Sequence, residues 1–324
     1  MEKLSRYQQL IDARIERTLF EGKPASLYDP LNYLMGLGGK RLRPMLTLIA
    51  CDMMHGDINK ALLPALGLEV FHNYTLMHDD IMDQAPLRRG QATVHEKWNT
   101  PTAILAGDLM LVKAYESLMK SEGIARIKIL ELFNKTATEI CEGQQFDMEF
   151  ESTDEVAVED YLKMIELKTA VLLGCSLKVG ALVAEAPESD ADLLYDFGIY
   201  TGIGFQLMDD ILDVFGDTEK VGKQVAGDII SDKKTFLLLE AFRLANDAQR
   251  AELNKWIGNP KAEPGEKVTA VKAIYDELGI QDIARAKADE YFKKADRLLE
   301  AVNVEEARKK NLRDYAVFLK NRIS

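Results

Sequence analysis

The chain has 324 residues and is 47% hydrophobic, which is enough for a substantial core in one or two domains. Its net charge of -12 argues against nucleic acid as the main partner, although local cations or bound metal would still permit an anionic substrate. Its three cysteines form neither a CxxC nor a zinc-like pattern, which indicates the reducing environment of the cytoplasm.

The spacing of the apolar residues predicts helices along nearly the whole chain. The first, over residues 2–20, is charged throughout and lacks the apolar core of a signal peptide. The longest uncharged run, Phe197 to Met208, has twelve residues and is too short to span a bilayer. No segment gives a convincing strand or hairpin pattern, so the sequence predicts an all-α fold with a single domain over residues 1–324. Further helices are expected over residues 44–53, 62–82, 100–120, 124–149, 158–184 and 190–215.

The first candidate binding segment is the glycine turn GLGGKRLRP, Gly36 to Pro44. Two adjacent glycines free the backbone, and Lys40, Arg41 and Arg43 follow at once. A glycine turn that presents cations at the start of a helix suits an anion. The GxxxxGK[ST] spacing of a P-loop is missing, and a basic surface turn is the alternative.

The most apolar of the predicted helices ends at three aspartates in DDxxD spacing, Asp79, Asp80 and Asp83. Positions four apart share one side of a helix, so Asp79 and Asp83 project together. Carboxylates this close repel one another unless a cation lies between them, and magnesium often bridges carboxylate to phosphate. Arg88 and Arg89 follow closely and suit phosphate. For one motif alone, a solvated acidic helix end is the alternative.

The same pattern occurs a second time, as Asp209, Asp210 and Asp213 in FQLMDDILDVFG. If the two helix ends face each other, they hold a cluster of ions between them, and a diphosphate lies across that cluster. A glycine-rich loop follows and is a candidate for a closing lid over phosphate, with a polar connector as the alternative. Its lysines are Lys220, Lys223, Lys233 and Lys234.

Three other polar positions lie in apolar surroundings. His72 lies seven residues before Asp79, two helical turns deeper on nearly the same side, where a core histidine is the alternative. Lys168 and Thr169 lie midway along an apolar stretch, and a lysine there is costly to bury without an anionic partner. Gln206 lies one turn before the second aspartate motif.

The chain resembles the trans-type isoprenyl diphosphate synthases, the farnesyl and geranylgeranyl diphosphate synthases. The resemblance covers roughly residues 31–239 and rests on motifs found here in the family's order. These motifs are GGKRLRP, DDIMD followed by LRRG, GQQFD, KT, FQLMDDILD and the lysine loop. The resemblance implies a single large helical bundle around a deep central cavity, and a homodimer.

The resemblance also implies roles for individual residues. Three magnesium ions are expected per site, held by Asp79, Asp83 and Asp209 and supported by Asp80 and Asp213, and Asp210 is also expected among the catalytic residues. Isopentenyl diphosphate is expected to bind at Lys40, Arg43, His72 and Arg89. The allylic diphosphate is expected to bind at Arg88, Lys168, Thr169, Gln206, Lys223 and Lys233.

The implied reaction is ionisation of the allylic diphosphate, attack by the double bond of isopentenyl diphosphate, and loss of a proton. A terpene cyclase would use similar aspartates but would not need GGKRLRP or LRRG. A non-catalytic partner subunit typically loses one aspartate motif, and both motifs are intact here.

Product length is expected to depend on Tyr74, which precedes Asp79 by five residues and so lies about 7.5 Å deeper, at about 1.5 Å per residue. Thr75 is small, and the DDIMD motif has no insertion. This combination resembles the archaeal geranylgeranyl synthases and predicts a twenty-carbon product, with fifteen carbons as the next expectation. Phe71, one turn deeper, is the next expected barrier.

Overall fold

A computed structural model of the chain describes residues 2–153, 155–216 and 226–320. These residues are helical almost throughout, which confirms the predicted all-α fold. In the same residues, no helix combines the length and the apolar composition needed to cross a membrane. The helices are α1 (Glu2–Glu16), α2 (Ala25–Gly36), α3 (Leu42–Met53), α4 (Ile58–Met82), α5 (Val94–Lys97), α6 (Thr100–Leu118), α7 (Gly123–Ser152), α8 (Val158–Ile165), α9 (Val171–Val183), α10 (Glu188–Phe215), α11 (Gly227–Ile230), α12 (Phe236–Leu244), α13 (Asp247–Trp256), α14 (Pro264–Leu278), α15 (Ile280–Ala301) and α16 (Glu306–Lys320).

The described chain forms two compact units, and the single domain expected from the sequence remains a prediction. The first unit comprises the residues up to Asn134 together with Cys175–Tyr195 and Asn303–Leu312. Within it, α4 packs against α3 and α6. The side chain of Asp57 caps α4 by accepting the backbone N–H of Asn59 at 2.9 Å, which satisfies one of the free donors at the helix start.

The second unit comprises Lys135–Gly174, Asp196–Val302 and the described residues from Arg313 onward. Its core is formed by apolar faces of α8, α10, α12, α14 and α15. Large buried side chains there include Tyr161, Phe236 and Tyr275. This core supports the second aspartate motif, which lies near the end of α10.

The helix predicted over residues 158–184 is interrupted by a π-helical turn, Glu166–Ala170, which contains Lys168 and Thr169. Such turns place one extra residue in the helix and are frequent at functional sites. Two glycines allow neighbouring helices to approach this turn closely. A Cβ at Gly143 would lie 2.3 Å from the backbone nitrogen of Lys168, and one at Gly202 would lie 2.6 Å from the Cα of Ala170.

The expectation that no hairpin forms was wrong at one place, where Leu87–Arg88 pairs antiparallel with Gln91–Ala92. Arg89 and Gly90 connect the strands with φ of 54° and 73°, the positive values that a two-residue type I′ turn requires. Strands of two residues are too short to show alternation, which explains why the sequence pattern missed them. The turn presents Arg89 at its tip.

The close approach at Gly143 gives a first prediction. Gly143→Ala should destabilise the protein by about 1–3 kcal/mol, because the new methyl group would meet backbone rather than a movable side chain. Gly36→Ala is the matched control, since a Cβ at Gly36 has nothing within 4 Å. Thermal unfolding of both variants measures the difference, and equal stabilities would contradict the packing described for the π turn.

Candidate active site

The first aspartate motif lies at the carboxyl end of α4, where the helix dipole disfavours negative charge. Asp80 is buried, and the Nε of Arg88 donates to both of its carboxylate oxygens at 2.7 and 2.8 Å. Burial raises the pKa of Asp80, while the charge and the hydrogen bonds of Arg88 act in the opposite direction. Asp79 is half-buried and Asp83 is exposed, so these two remain the accessible carboxylates of the motif.

The structure places Arg88, predicted to bind the allylic diphosphate, against the carboxylates. A terminal nitrogen of its guanidinium lies 2.6 Å from Asp80 and 3.7 Å from Asp79. Arg88 therefore balances charge within the motif in the protein without substrate. Its role as a diphosphate ligand stays a prediction.

Several cations of the same unit act electrostatically on His72. Burial lowers the pKa of His72 well below its usual value, and four nearby guanidinium groups lower it further. These groups belong to Arg43, Arg89, Arg88 and Arg41, in decreasing order of effect. Such a concentration of positive charge around a neutral imidazole is a favourable environment for an anion. Arg43 and Arg89 thus act electrostatically on His72, and Arg89 also donates to the carbonyl of Gly38 in the glycine turn, on which Lys40 lies exposed.

Arg41 belongs to the same turn but has a different function. Its guanidinium is buried, pairs with Glu69 of α4 at 2.8 Å, and donates to the carbonyl of Met35 at 2.8 Å. Its backbone is in the left-handed region, with φ of 48°. Because its donors are occupied by buried acceptors, Arg41 fixes the turn that presents its neighbours Lys40 and Arg43.

The second aspartate motif also buries the middle aspartate, Asp210. Its carboxylate accepts hydrogen bonds from the hydroxyl of Tyr161 and, at 3.1 Å, from the amide of Gln206. Burial and the nearby charge of Asp228 raise the pKa of Asp210 to about 7, although these hydrogen bonds lower it. Asp213 accepts the backbone N–H of Asp228 at 2.9 Å, which attaches the start of α11 to this motif. No sequence pattern pointed to Tyr161.

The predicted pair Lys168 and Thr169 lies on the π turn beside other candidate residues. Lys168 Nζ lies 2.5 Å from Asp147, and Thr169 Oγ1 lies 3.4 Å from Gln206 Oε1. Burial would raise the pKa of Asp147, but the charges of Lys233 and Lys168 outweigh it and lower that pKa. Asp147 was not among the predicted site residues, although the GQQFD motif ends on it. Both predicted lysines, Lys168 and Lys233, therefore act on the carboxylate of Asp147.

The structure separates the two adjacent lysines that follow the loop. Lys234 donates to the backbone carbonyls of Phe150, at 2.6 Å, and Thr153, at the end of α7. Lys233 is exposed and acts electrostatically on Asp147. This supports the choice of Lys233 over Lys234 as the candidate ligand. The predicted Lys223, and with it Lys220, lies outside the described residues.

The charge around His72 gives a second prediction. The ring of His72 should titrate below its usual range in the free protein, because burial and four nearby guanidinium groups oppose its protonation. Below about pH 6.5 the unfolded chain gains a proton that the folded chain refuses, so this residue lowers stability as the pH falls. Inorganic diphosphate should raise the pKa of His72, because it adds negative charge nearby.

NMR titration of the labelled ring measures both effects. Arg43→Ala should by itself raise the pKa of His72 and weaken the response to diphosphate. If the pKa were the same with and without diphosphate, the cationic group would not be the binding site.

The chain is similar to known prenyl synthases over most of its length. The family model described as polyprenyl synthetase matches residues 24–278. The chain is 39% identical to the geranylgeranyl pyrophosphate synthase of Geoglobus acetivorans over 297 residues, which is 91% of each chain. It is 42% identical to the geranylgeranyl diphosphate synthase of Methanosarcina mazei over 234 residues, which is 72% of each chain.

A solved structure of a geranylgeranyl pyrophosphate synthase superposes on the chain with a TM-score of 0.94 at 41% identity, covering 99% of both chains. The family match covers the segment that includes both aspartate motifs, the glycine turn and Lys233. These findings confirm the resemblance inferred from the motifs. The chain belongs to the polyprenyl synthetase family.

Proposed function

We propose that this chain condenses isopentenyl diphosphate with allylic diphosphates and releases geranylgeranyl diphosphate as its main product. The chain is a short-chain trans-prenyltransferase, as its family and its relatives indicate. The observation that best supports the proposed substrates is the arginine group around His72. A terpene cyclase would have no second diphosphate for this group to bind.

The donor groups of the two aspartate motifs fit magnesium. Among the residues that the structure describes, no three His, Cys, Asp or Glu side chains converge as a complete metal site. This suits magnesium, which keeps several waters and is usually completed by substrate phosphate oxygens. We propose that Asp79, Asp83 and Asp209 hold three ions together with the bound diphosphate. Bound magnesium would draw charge from the diphosphate as it leaves.

Two separate sets of side chains bind the two substrate anions in this proposal. Lys40, Arg43, His72 and Arg89 bind isopentenyl diphosphate in this proposal, and neutral His72 donates one N–H. Lys168, Lys223 and Lys233 bind the allylic diphosphate and stabilise its charge on departure. The oxygen atoms of Thr169 and Gln206 supply dipoles for the allylic cation. Water must be kept from the allylic cation, because it would otherwise capture it.

The third prediction tests this reaction through its dependence on metal. Chelation should abolish incorporation of labelled isopentenyl diphosphate into prenyl products, and magnesium should restore it. Asp79→Ala and Asp209→Ala should each lower the rate by about two to three orders of magnitude, since each removes charge stabilisation at the leaving group. Near-normal turnover in either variant would refute the proposed roles.

The same assay separates the alternatives. A terpene cyclase would consume the allylic diphosphate without incorporating label from isopentenyl diphosphate. A non-catalytic partner subunit would show no turnover as a purified single chain.

Product length is proposed to depend on a stack of aromatic rings that begins on α4. The rings of Phe71 and Tyr74 have centroids 5.5 Å apart, and Tyr74 also meets the His78 ring at 4.8 Å. Phe71 is buried and contacts the Phe133 ring edge-on at 4.8 Å, which fixes its position. The hydroxyl of the small Thr75 side chain donates to the His72 carbonyl at 2.8 Å.

The fourth prediction follows from this stack. Tyr74→Ala should lengthen the products by at least one isoprene unit, because the ring that forms the floor of the product cavity is removed. Adding Phe71→Ala should lengthen them again. Thr75→Ser is the control and should leave the distribution unchanged, since it keeps the hydroxyl and stays small. Chromatography of the dephosphorylated products reads the lengths, and an unchanged distribution in Tyr74→Ala would refute the role of the stack.

We also propose that the chain acts in the cytoplasm as a homodimer that uses one side of α6. The three free cysteines are compatible with a reducing compartment. Exposed apolar side chains lie along one side of α6 and continue into its final turn. They are Ile104, Leu105, Val112 and Met119. A row of exposed apolar side chains of this kind is typical of a protein interface.

The fifth prediction tests this interface. Leu105→Glu should shift the protein towards monomer in sedimentation equilibrium, because it would bury a charge in an apolar contact. Leu19→Glu is the matched control, because Leu19 is 67% exposed, against 60% for Leu105, and lies between α1 and α2. A monomeric wild-type protein, or equal effects of the two variants, would contradict the proposed dimer.

A further inference from the structure

Lys267 is a buried cation in the carboxyl-terminal part of the chain, where the sequence motifs place no chemistry. Its side chain is 4% exposed, and its Nζ donates to Asp232 at 2.6 Å and to the carbonyl of Ile230 at 3.1 Å. It lies close to the start of α14, where the helix dipole disfavours a cation. Burial of an ammonium group without partners costs free energy, and these two contacts offset that cost.

The two contacts hold the segment that precedes Lys233. Ile230 is the last residue of α11, so Lys267 satisfies a carbonyl at the end of that helix. Asp232 has a φ of 57°, a left-handed conformation that a non-glycine residue adopts only at some cost. The bond from Lys267 to its carboxylate stabilises this conformation, which determines the direction in which the chain enters Lys233.

Other contacts fix the same segment at its two ends. At one end, Asp213 of the second aspartate motif accepts the backbone N–H of Asp228 at 2.9 Å. At the other end, Lys234 donates to the Phe150 carbonyl at 2.6 Å. Between them, the backbone N–H of Lys233 donates to the Asp228 carbonyl at 2.9 Å. Lys267 supplies the side-chain contact in the middle of this span.

We propose that Lys267 is a positioning residue for Lys233, and that it keeps this lysine in place for the allylic diphosphate. This inference rests on the proposed function, because it takes Lys233 as a ligand of that diphosphate. Lys267 itself is buried behind Asp232 and acts through the backbone. Loss of its contacts should therefore affect one substrate and leave the other unchanged, which a general loss of stability would not do.

The kinetic test uses Lys267→Met, which keeps the length of the side chain and removes its charge. The KM for the allylic diphosphate should rise about tenfold, as expected for the loss of a charge-assisted contact. The KM for isopentenyl diphosphate should change less than twofold. Lys309→Met is the matched control, since the Lys309 side chain is 3% exposed and pairs with Glu306 at 2.8 Å in the other compact unit. It should leave both KM values unchanged.

A second, milder variant tests the same contact in case Lys267→Met fails to fold. Asp232→Asn removes the charged partner on a side chain that is 32% exposed, and asparagine tolerates the left-handed conformation. It should reproduce the selective rise in KM for the allylic substrate. Equal changes in both KM values, or no change in either variant, would overturn the positioning role.

Trypsin cleavage after Lys233 and Lys234 gives a readout that does not depend on turnover. Cleavage there should be faster in Lys267→Met than in wild type, relative to cleavage after Arg243, and mass spectrometry of the fragments measures the ratio. An unchanged ratio would overturn the proposal. If wild type failed to consume the allylic diphosphate, the proposed function would fall and the positioning role with it, while the cleavage ratio would still show whether Lys267 holds the segment.

Discussion

The negative charge gathered at the carboxyl ends of α4 and α10 is the constraint on which the rest of the structure depends. A helix end of this kind already has a partial negative charge, and each added carboxylate is disfavoured by about 0.3–1 kcal/mol. In both motifs the second aspartate is the buried one. Asp80 is neutralised by Arg88, whereas Asp210 is bonded to Tyr161 and Gln206 and has a pKa near neutrality. The first aspartate of each motif, Asp79 and Asp209, is half-buried.

The basic residues near the motifs also occur in adjacent pairs whose members have different partners. Adjacent basic residues take different roles, one within the protein and one towards the ligand. Arg41 is buried with Glu69, while Arg43 adds to the positive charge around His72. Lys234 closes the end of α7, while Lys233 acts on Asp147. Arg88 and Lys168 differ from these residues, because each already pairs with a carboxylate of the protein, Asp80 and Asp147 respectively.

The fold class and the helices that present the motifs could be predicted from the sequence, because long amphipathic or fully apolar stretches have a clear helical period. The π turn could not be predicted, since its extra residue depends on close packing at Gly143 and Gly202. The hairpin at Leu87–Ala92 was missed because two-residue strands have no detectable alternation. Among the site residues, the motifs located the aspartates, while the partners Tyr161 and Lys267 have no local signature and are fixed by tertiary contacts.

The attachment of residues 228–234 has an evolutionary consequence. This segment is held by Asp213, Lys267 and the end of α7 through contacts of Asp228, Asp232 and Lys234. The position of Lys233 therefore depends on contacts made by its immediate neighbours in the chain. The number of residues between the second aspartate motif and Ala226 can then change without moving Lys233. Insertions or deletions in that interval would change the placement of Lys223, which the proposed function also assigns to the allylic diphosphate, while Lys233 would keep its place. Related enzymes could therefore diverge at the first of these lysines and retain the second.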